Sequence, residues 1–437
     1  MKQALAKYFL NNMRLGPLAM IALFIAVLML LPMTVIVASV FTGSFDVWHH
    51  LVDTVLWDYL SNSLLLLLGV GAGVLIIGVP AAWLVSVCDF PGRKFFSWAL
   101  LLPLAMPAYI IAYTYTGLLD FAGPVQSILR DITGLQYVEY WFFNIRSLPG
   151  AIVMLTLVLY PYVYLLARAA FFDHSPIILE VGRTMGYGNR LGMLRLALPM
   201  ARPAIVTGLT LALMETLADY GTVQYFGVST FTTGIFRTFY GFGDVAAAAQ
   251  LASVLLGFVV LLMALERYSR RQARYHTVKG HSIRRICLTK GKALLAVWVC
   301  AFPLLFGFFI PAVQLLYWSL FEAVIGESFS TLAWNSFYLA FIAACIAVSF
   351  ALVLAYAKRL YERKKLVSVA VTVSGTGYAL PGTIIAIGVL ISFSWLDHHL
   401  IDIAKNWLDI DIGLLLSGTL VALLFAYTVR FLAVSLG

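Results

Sequence analysis

Glu215 and Asp219 stand four residues apart in the apolar run TGLTLALMETLADYGTVQYFGV, so a helix there carries both carboxylates on one face. Ionisable groups at membrane depth face a cavity or the interior of a bundle, which makes the pair a candidate for contact with a charged ligand. Tyr220 and Tyr225 add phenolic oxygens close by. Carboxylates and phenolates are hard donors suited to a hard, highly charged cation. The alternative role for Glu215 and Asp219 is structural, as caps or hydrogen-bond partners that meet no ligand.

A second constellation precedes it. The stretch EVGRTMGYGNRLGMLRLALPMARPAI, from Glu180 to Ile205, interrupts two apolar runs with arginines, glycines and prolines that a lipid-facing helix could not hold. Its spacing is Glu180, Gly186, Leu196, Leu198 and Pro199. A short helix here presents Glu180, Thr184, Tyr187 and Leu191 as a ridge on one face. Gly186 permits a turn or a close backbone approach. Pro199 and Pro203 are expected to stop that helix and set the direction of the next span. Enzymatic readings find no support. No lysine is followed by serine or threonine, so the phosphate-cradling G-x-x-x-x-G-K-[ST] loop is missing, and neither G-x-S-x-G nor H-E-x-x-H occurs. Cys88, Cys287, Cys300 and Cys345 are scattered and read as free thiols. His49-His50 and His398-His399 read as interfacial polar pairs or transient metal contacts, and no metal site is assigned.

The elements that must position these residues are membrane spans. The chain is 62% hydrophobic and 11% charged over 437 residues, with a mean hydropathy of +0.94. That composition excludes a soluble core and predicts an all-α, polytopic integral membrane bundle. About ten segments are long enough to cross, roughly 18–41, 62–87, 97–119, 148–171, 203–226, 245–266, 293–319, 335–357, 366–395 and 411–434. The first reads as an uncleaved anchor. With the N-terminus in the cytoplasm, only Arg130, Arg146, Arg237 and Lys405 of the 29 Lys and Arg residues fall on the outer side. The net charge of +9 is thus a sign of membrane orientation and not of nucleic-acid binding. The basic segment YSRRQARYHTVKGHSIRRICLTKGK reads as a cytoplasmic linker, with acidic lipid headgroups as its other possible partner.

The chain also repeats itself. Asn62-Ser63 recurs as Asn335-Ser336, and PAYIIAY from Pro107 recurs as PGTIIAI from Pro381 at nearly the same offset. An even number of spans fills that offset, so the repeats are parallel. Residues 1–275 form the expected first half, 276–292 the linker and 293–437 the second half. Carried forward by the offset, Glu180 lands beyond Gly437. The chain is therefore expected to be a truncated product of a protein with roughly twelve spans, lacking a second copy of the loop.

The loop at about 173–202 resembles the signature loop of ABC-transporter permeases, E-A-A-x-x-x-G-x9-I-x-L-P. Glu180, Gly186, Leu198 and Pro199 match in identity and register, whereas Val181 and Gly182 replace the alanines and Leu196 the isoleucine. ETLADYGTVQYFGV, followed by TFTTGI and AAAAQLAS, further resembles ferric-iron uptake permeases with two fused halves. The resemblance implies a type I importer fold in a bacterial inner membrane and a loop, with Tyr187 on it, that docks on an ATPase dimer. It also implies ferric iron as substrate, a periplasmic binding protein that delivers it, and ATP and magnesium held by the partner, with no cofactor on this chain. Without a second loop, the chain is expected not to support ATP-driven uptake by itself. Thiamine and polyamine permeases share part of the pattern, and an ion-coupled secondary transporter is the competing class.

Overall fold

The computed structural model of the chain describes residues 16–39, 41, 45–135, 139–184, 186–271, 285–322, 326, 328–410 and 412–436. Backbone N–H and C=O groups have no partners in hydrocarbon except each other, so the apolar runs close into helices. The main ones are α1 (Pro17–Ser39), α2 (Leu56–Val87), α3 (Ala108–Leu119), α4 (Leu148–Thr184), α5 (Leu198–Ala218), α6 (Val245–Arg271), α7 (Lys290–Leu304), α8 (Ile310–Phe321), α9 (Phe329–Leu360), α10 (Lys365–Ser374), α11 (Gly382–Leu408) and α12 (Leu420–Leu436). Strand among the described residues is confined to β1 (Cys88–Asp89) and β2 (Ile286–Cys287), a parallel pair.

Eight helices among the described residues are long and apolar enough to cross a membrane, and a bent pair makes up to nine. The ten expected segments differ from this in three places. The third is broken by 89° between Arg93–Ala105 and Ala108–Thr133. The ninth begins as the short helix α10 and continues, after a break, as α11. The tenth is α12, a shorter apolar helix that runs to the last described residue.

Both breaks have one cause. A proline disfavours helical backbone in the residue before it. Met106 lies extended (φ −96°, ψ 112°) before Pro107, and Leu380 does the same (φ −90°, ψ 137°) before Pro381. Each proline then opens the following helix at nearly the same angles, −59° and 137° for Pro107 and −53° and 137° for Pro381. A 3-10 turn precedes each break, Leu102–Ala105 and Gly377–Ala379. The local backbone thus recurs where the sequence does.

By packing, the chain forms two units, each assembled from separated stretches. One comprises residues 51–234 and 257–324 and the other 1–50, 235–256 and 325–437. The first unit is built on α4, which α2 and α5 flank. Close approach requires small residues, because lipid supplies no hydrophobic force between helices. A Cβ on Gly78 of α2 would lie 3.0 Å from the Tyr160 carbonyl oxygen, and one on Gly208 of α5 would lie 2.8 Å from that of Tyr162. On another face of α4, Tyr160 and Tyr164 donate to the carbonyls of Leu100 and Ser97, both at 3.0 Å, and Arg168 donates to Ser97 at 2.9 Å. These carbonyls lie at the end of the helix Arg93–Ala99, where the regular helix ladder runs out. α4 therefore holds the broken segment in place.

In the second unit α1 packs along α11, α10 and α9. A Cβ on Gly388 would sit 2.5 Å from the Pro32 carbonyl oxygen, so α1 and α11 meet through backbone. Asp397 on α11 is buried, and it accepts the N–H groups of Leu415, Leu416 and Ser417 and the Ser417 hydroxyl. A carboxylate so surrounded fastens the turn before α12.

Candidate functional site

The arginine-rich interruption is an overshooting helix followed by a sharp turn. α4 has 37 residues, about 55 Å at 1.5 Å per residue, whereas the part of it apolar enough to cross a membrane is Leu148–Asp173. Its final turns, Glu180 included, therefore project past the span. The Glu180 side chain lies outside the described residues. Gly186 then adopts φ +79°, and the Tyr187 N–H donates to the Gly182 carbonyl at 2.8 Å. A left-handed residue followed by that bond is the Schellman ending of a helix, in which glycine escapes the clash a Cβ would cause. Gly186 is exposed, and nothing lies within 4 Å of a Cβ added to it.

The chain reverses through Asn189–Gly192 and the π-turn Met193–Ala197 into α5. Gly182 is buried beneath that turn, where a Cβ would lie 3.2 Å from Leu196 Cδ1. Glu180, Thr184, Tyr187 and Leu191 consequently do not form one ridge: the first two ride on α4, Tyr187 follows the turn and Leu191 lies on the next short helix. Pro199 and Pro203 do not stop a helix either. The Leu198 N–H reaches back five residues to Met193, so the π-turn resets the hydrogen-bond ladder just ahead of Pro199. Pro199 then occupies the first turn of α5, where a missing N–H costs least. Leu198 is half-buried and Pro199 exposed.

At its other end α5 stops at Asp219, which is extended (φ −69°, ψ 124°). The Asp219 carboxylate accepts the N–H groups of Thr222 at 3.0 Å and Val223 at 3.2 Å, and the Thr222 hydroxyl at 3.0 Å. Its backbone carbonyl accepts the Thr232 hydroxyl at 2.9 Å. Asp219 thus caps the short helix Gly221–Tyr225, satisfying N–H groups that otherwise lack partners. Glu215, one turn earlier, is half-buried and close enough for its charge to act on Asp219. Tyr220 is half-buried at the start of the short helix. If capping is the role of Asp219, Asp219→Ala should cost about 1–2 kcal/mol and Asp219→Asn, which keeps an acceptor, less than about 1 kcal/mol. Thermal unfolding of the two purified variants in detergent measures this, and equal losses would remove the capping assignment.

Tyr225 turns elsewhere. It lines an open basin of about 530 Å³ with Tyr113, Asp120, Arg146, Trp318 and Glu322. Tyr113 packs edge-on against Tyr225 at 6.1 Å and against Trp318 at 5.5 Å. Arg146 pairs with Asp120 at 3.0 Å and stands 5.9 Å over the Tyr225 ring. Ring faces and carboxylates both attract cations, and two acids against one arginine leave the basin net negative. Glu215, Asp219 and Tyr220 are not among its lining residues. Sequence reasoning named only Tyr225 of this group. The signal for the rest was Arg146, one of the four basic residues expected on the outer side.

No protein-family model matches the chain. It is 27% identical over 366 residues to the Fe(3+)-transport system permease protein FbpB 2 of Haemophilus influenzae, covering 82% of this chain and 67% of that protein. It is 25% identical over 206 residues to the molybdenum transport system permease protein ModB of Escherichia coli, covering 45% of this chain and 87% of that one. To the ferric transport system permease protein FbpB of Actinobacillus pleuropneumoniae it is 23% identical over 318 residues, 67% of this chain and 45% of that protein. The chain thus spans about two thirds of one ferric-system relative and under half of the other.

Proposed function

We propose that this chain, a multi-pass membrane protein related to the permease subunits of transport systems, is the membrane subunit of an ATP-driven importer of ferric iron. The observation that carries the reading is the similarity to an Fe(3+)-transport permease along 82% of the chain, which takes in both the loop and the Glu215–Tyr225 segment. In this reading the N-terminus faces the cytoplasm of a bacterial inner membrane, and a periplasmic protein presents iron to the outer side. A separate ATPase dimer binds the Gly186 turn, and closure of that dimer tilts α4 and α5 together, since Gly182 and Leu196 lock the two arms of the hairpin. The binding energy of ATP thereby shifts a conformational equilibrium, and the permease itself breaks no bonds. The half-buried Glu215 carboxylate favours a cation over an anion.

The test is uptake by proteoliposomes that hold the complete permease with its ATPase and binding protein. ATP-dependent accumulation of radioactive ferric iron, unaffected by excess molybdate, is the expected result. Transport of molybdate in preference to iron, or iron uptake with no ATPase present, would reject the reading.

A further inference from the structure

At one end of the unit built on α4, three guanidinium groups converge where the described residues provide one carboxylate, Asp89. The parallel pair β1–β2 is the clamp that gathers them. Cys88 pairs with Ile286 and Asp89 with Cys287, and the Leu288 N–H donates to the Asp89 carbonyl at 3.3 Å. Arg285 precedes the clamp on one strand, and Arg93 lies four residues beyond Asp89 on the other chain segment. Arg93 donates to the Val85 carbonyl at 3.2 Å, capping the end of α2, and its Nε is 3.6 Å from Asp89 Oδ1. Arg168 enters from α4 through its bond to Ser97, and the Ser86 hydroxyl donates to the Arg168 carbonyl at 3.2 Å. Arg285 and Arg168 both lie close enough to repel the charge of Arg93.

Three such charges against the single, largely exposed Asp89 leave an excess of positive charge among half-buried groups. Arg285 Nε is moreover shielded from solvent and has no hydrogen-bond partner among the described residues. A buried donor on a charged group is costly to leave unmatched, so it marks a place for an acceptor. Phe95 and Trp98, 43% and 55% exposed, lie on the same short helix as Arg93. Exposed aromatic rings at the end of a span sit at headgroup depth. The planar forks of arginine match phosphate oxygens better than an ammonium does.

We propose that Arg93, Arg168 and Arg285 form a phosphate-binding site at this rim, and that it takes the headgroup phosphate of an anionic lipid. An occupied site would tie α2, α4 and the segment entering α7 to one ligand, so that the lipid fastens the start of α7 to the core helix. Free phosphate offers the same oxygens, and the test separates the two sources.

The purified full chain would be exchanged into detergent with phosphatidylglycerol or phosphatidylcholine, and bound lipid counted by native mass spectrometry with and without inorganic phosphate. The wild-type chain should retain phosphatidylglycerol in preference to phosphatidylcholine. Arg285→Gln should weaken that retention about fivefold, while Lys94→Gln, an exposed charge on the same short helix as Arg93, should leave it unchanged. Arg285→Lys, which keeps the charge without the fork, should fall between. Retention of phosphatidylglycerol that inorganic phosphate does not displace assigns the site to lipid, whereas binding of phosphate with no lipid preference assigns it to the free ion. Equal retention of both lipids with no phosphate binding, or full retention in a monodisperse Arg285→Gln chain, overturns the site. The lipid comparison on the wild-type chain decides the question without any variant should Arg285→Gln aggregate.

Discussion

Gly208→Leu should abolish accumulation of the folded chain. A Cβ at this position would meet the Tyr162 carbonyl oxygen and Val163 Cα, both at 2.8 Å, and neither atom can move without moving α4. The same device recurs around that helix: Gly78 faces the Tyr160 carbonyl at 3.0 Å, and Gly307, in the π-turn between α7 and α8, faces the Leu157 carbonyl at 2.8 Å. Three segments therefore reach the α4 backbone through glycine, and Tyr160 and Tyr164 are fully buried on the same helix. Overpacking of a tight core costs about 1–3 kcal/mol per site, and a clash against backbone lies at the upper end or beyond. That is a large share of the roughly 5–15 kcal/mol that holds a typical domain together. Gly257→Leu is the control, since nothing lies within 4 Å of a Cβ there. Size-exclusion profiles of the two variants from detergent extracts decide the matter: an aggregated Gly208→Leu beside a monodisperse Gly257→Leu is expected, and matching profiles would refute the packing argument.

What the sequence revealed and what it withheld follow from the range of each interaction. Span existence was legible because hydropathy is a local sum, and the runs around Pro17–Ser39 and Leu56–Val87 need no tertiary partner to be recognised. The bend at Pro107 was hidden for the same reason: averaging over a span-length window erases one extended residue, although Pro103 and Pro107 stood in plain view. The pairing of PAYIIAY with PGTIIAI marked the very place where both breaks occur, so the repeat carried the information that hydropathy lost. Asp219 illustrates the opposite limit. Its four-residue spacing from Glu215 suggested a shared ligand, yet the carboxylate is turned onto Thr222 and Val223, a competition between cap and ligand that periodicity cannot resolve. The basin at Tyr225 depends on Asp120, Arg146 and Trp318, which are distant in sequence and meet only in the folded chain.

If the proposed ATPase docks on the Gly186 turn, Gly186→Val should leave the chain folded and sever that docking. The residue is exposed at φ +79° with open space around it, so the substitution removes no packing and acts on backbone alone. Left-handed backbone costs an L-residue about 1–2 kcal/mol, and a β-branched one the most. The chain can relieve that strain by unwinding the Schellman turn, which would release the Tyr187 N–H from the Gly182 carbonyl and swing the arginine-rich arm away from α4. A penalty of that size lowers the population of the docking-competent turn by about five- to thirtyfold. In the complete transport system, capture of the ATPase and ATP-driven iron uptake should fall by similar factors while the unfolding temperature of the permease hardly changes. Gly186→Asn separates geometry from chemistry, because asparagine tolerates the left-handed region and should retain most of the uptake. Uptake in Gly186→Val equal to that of the unsubstituted protein would mean that the turn does not carry the coupling, whereas a joint loss of uptake and of thermal stability would mean that it belongs to the core. The open surroundings of Gly186, set against the crowded ones of Gly208 in the same unit, are what make those two outcomes distinguishable.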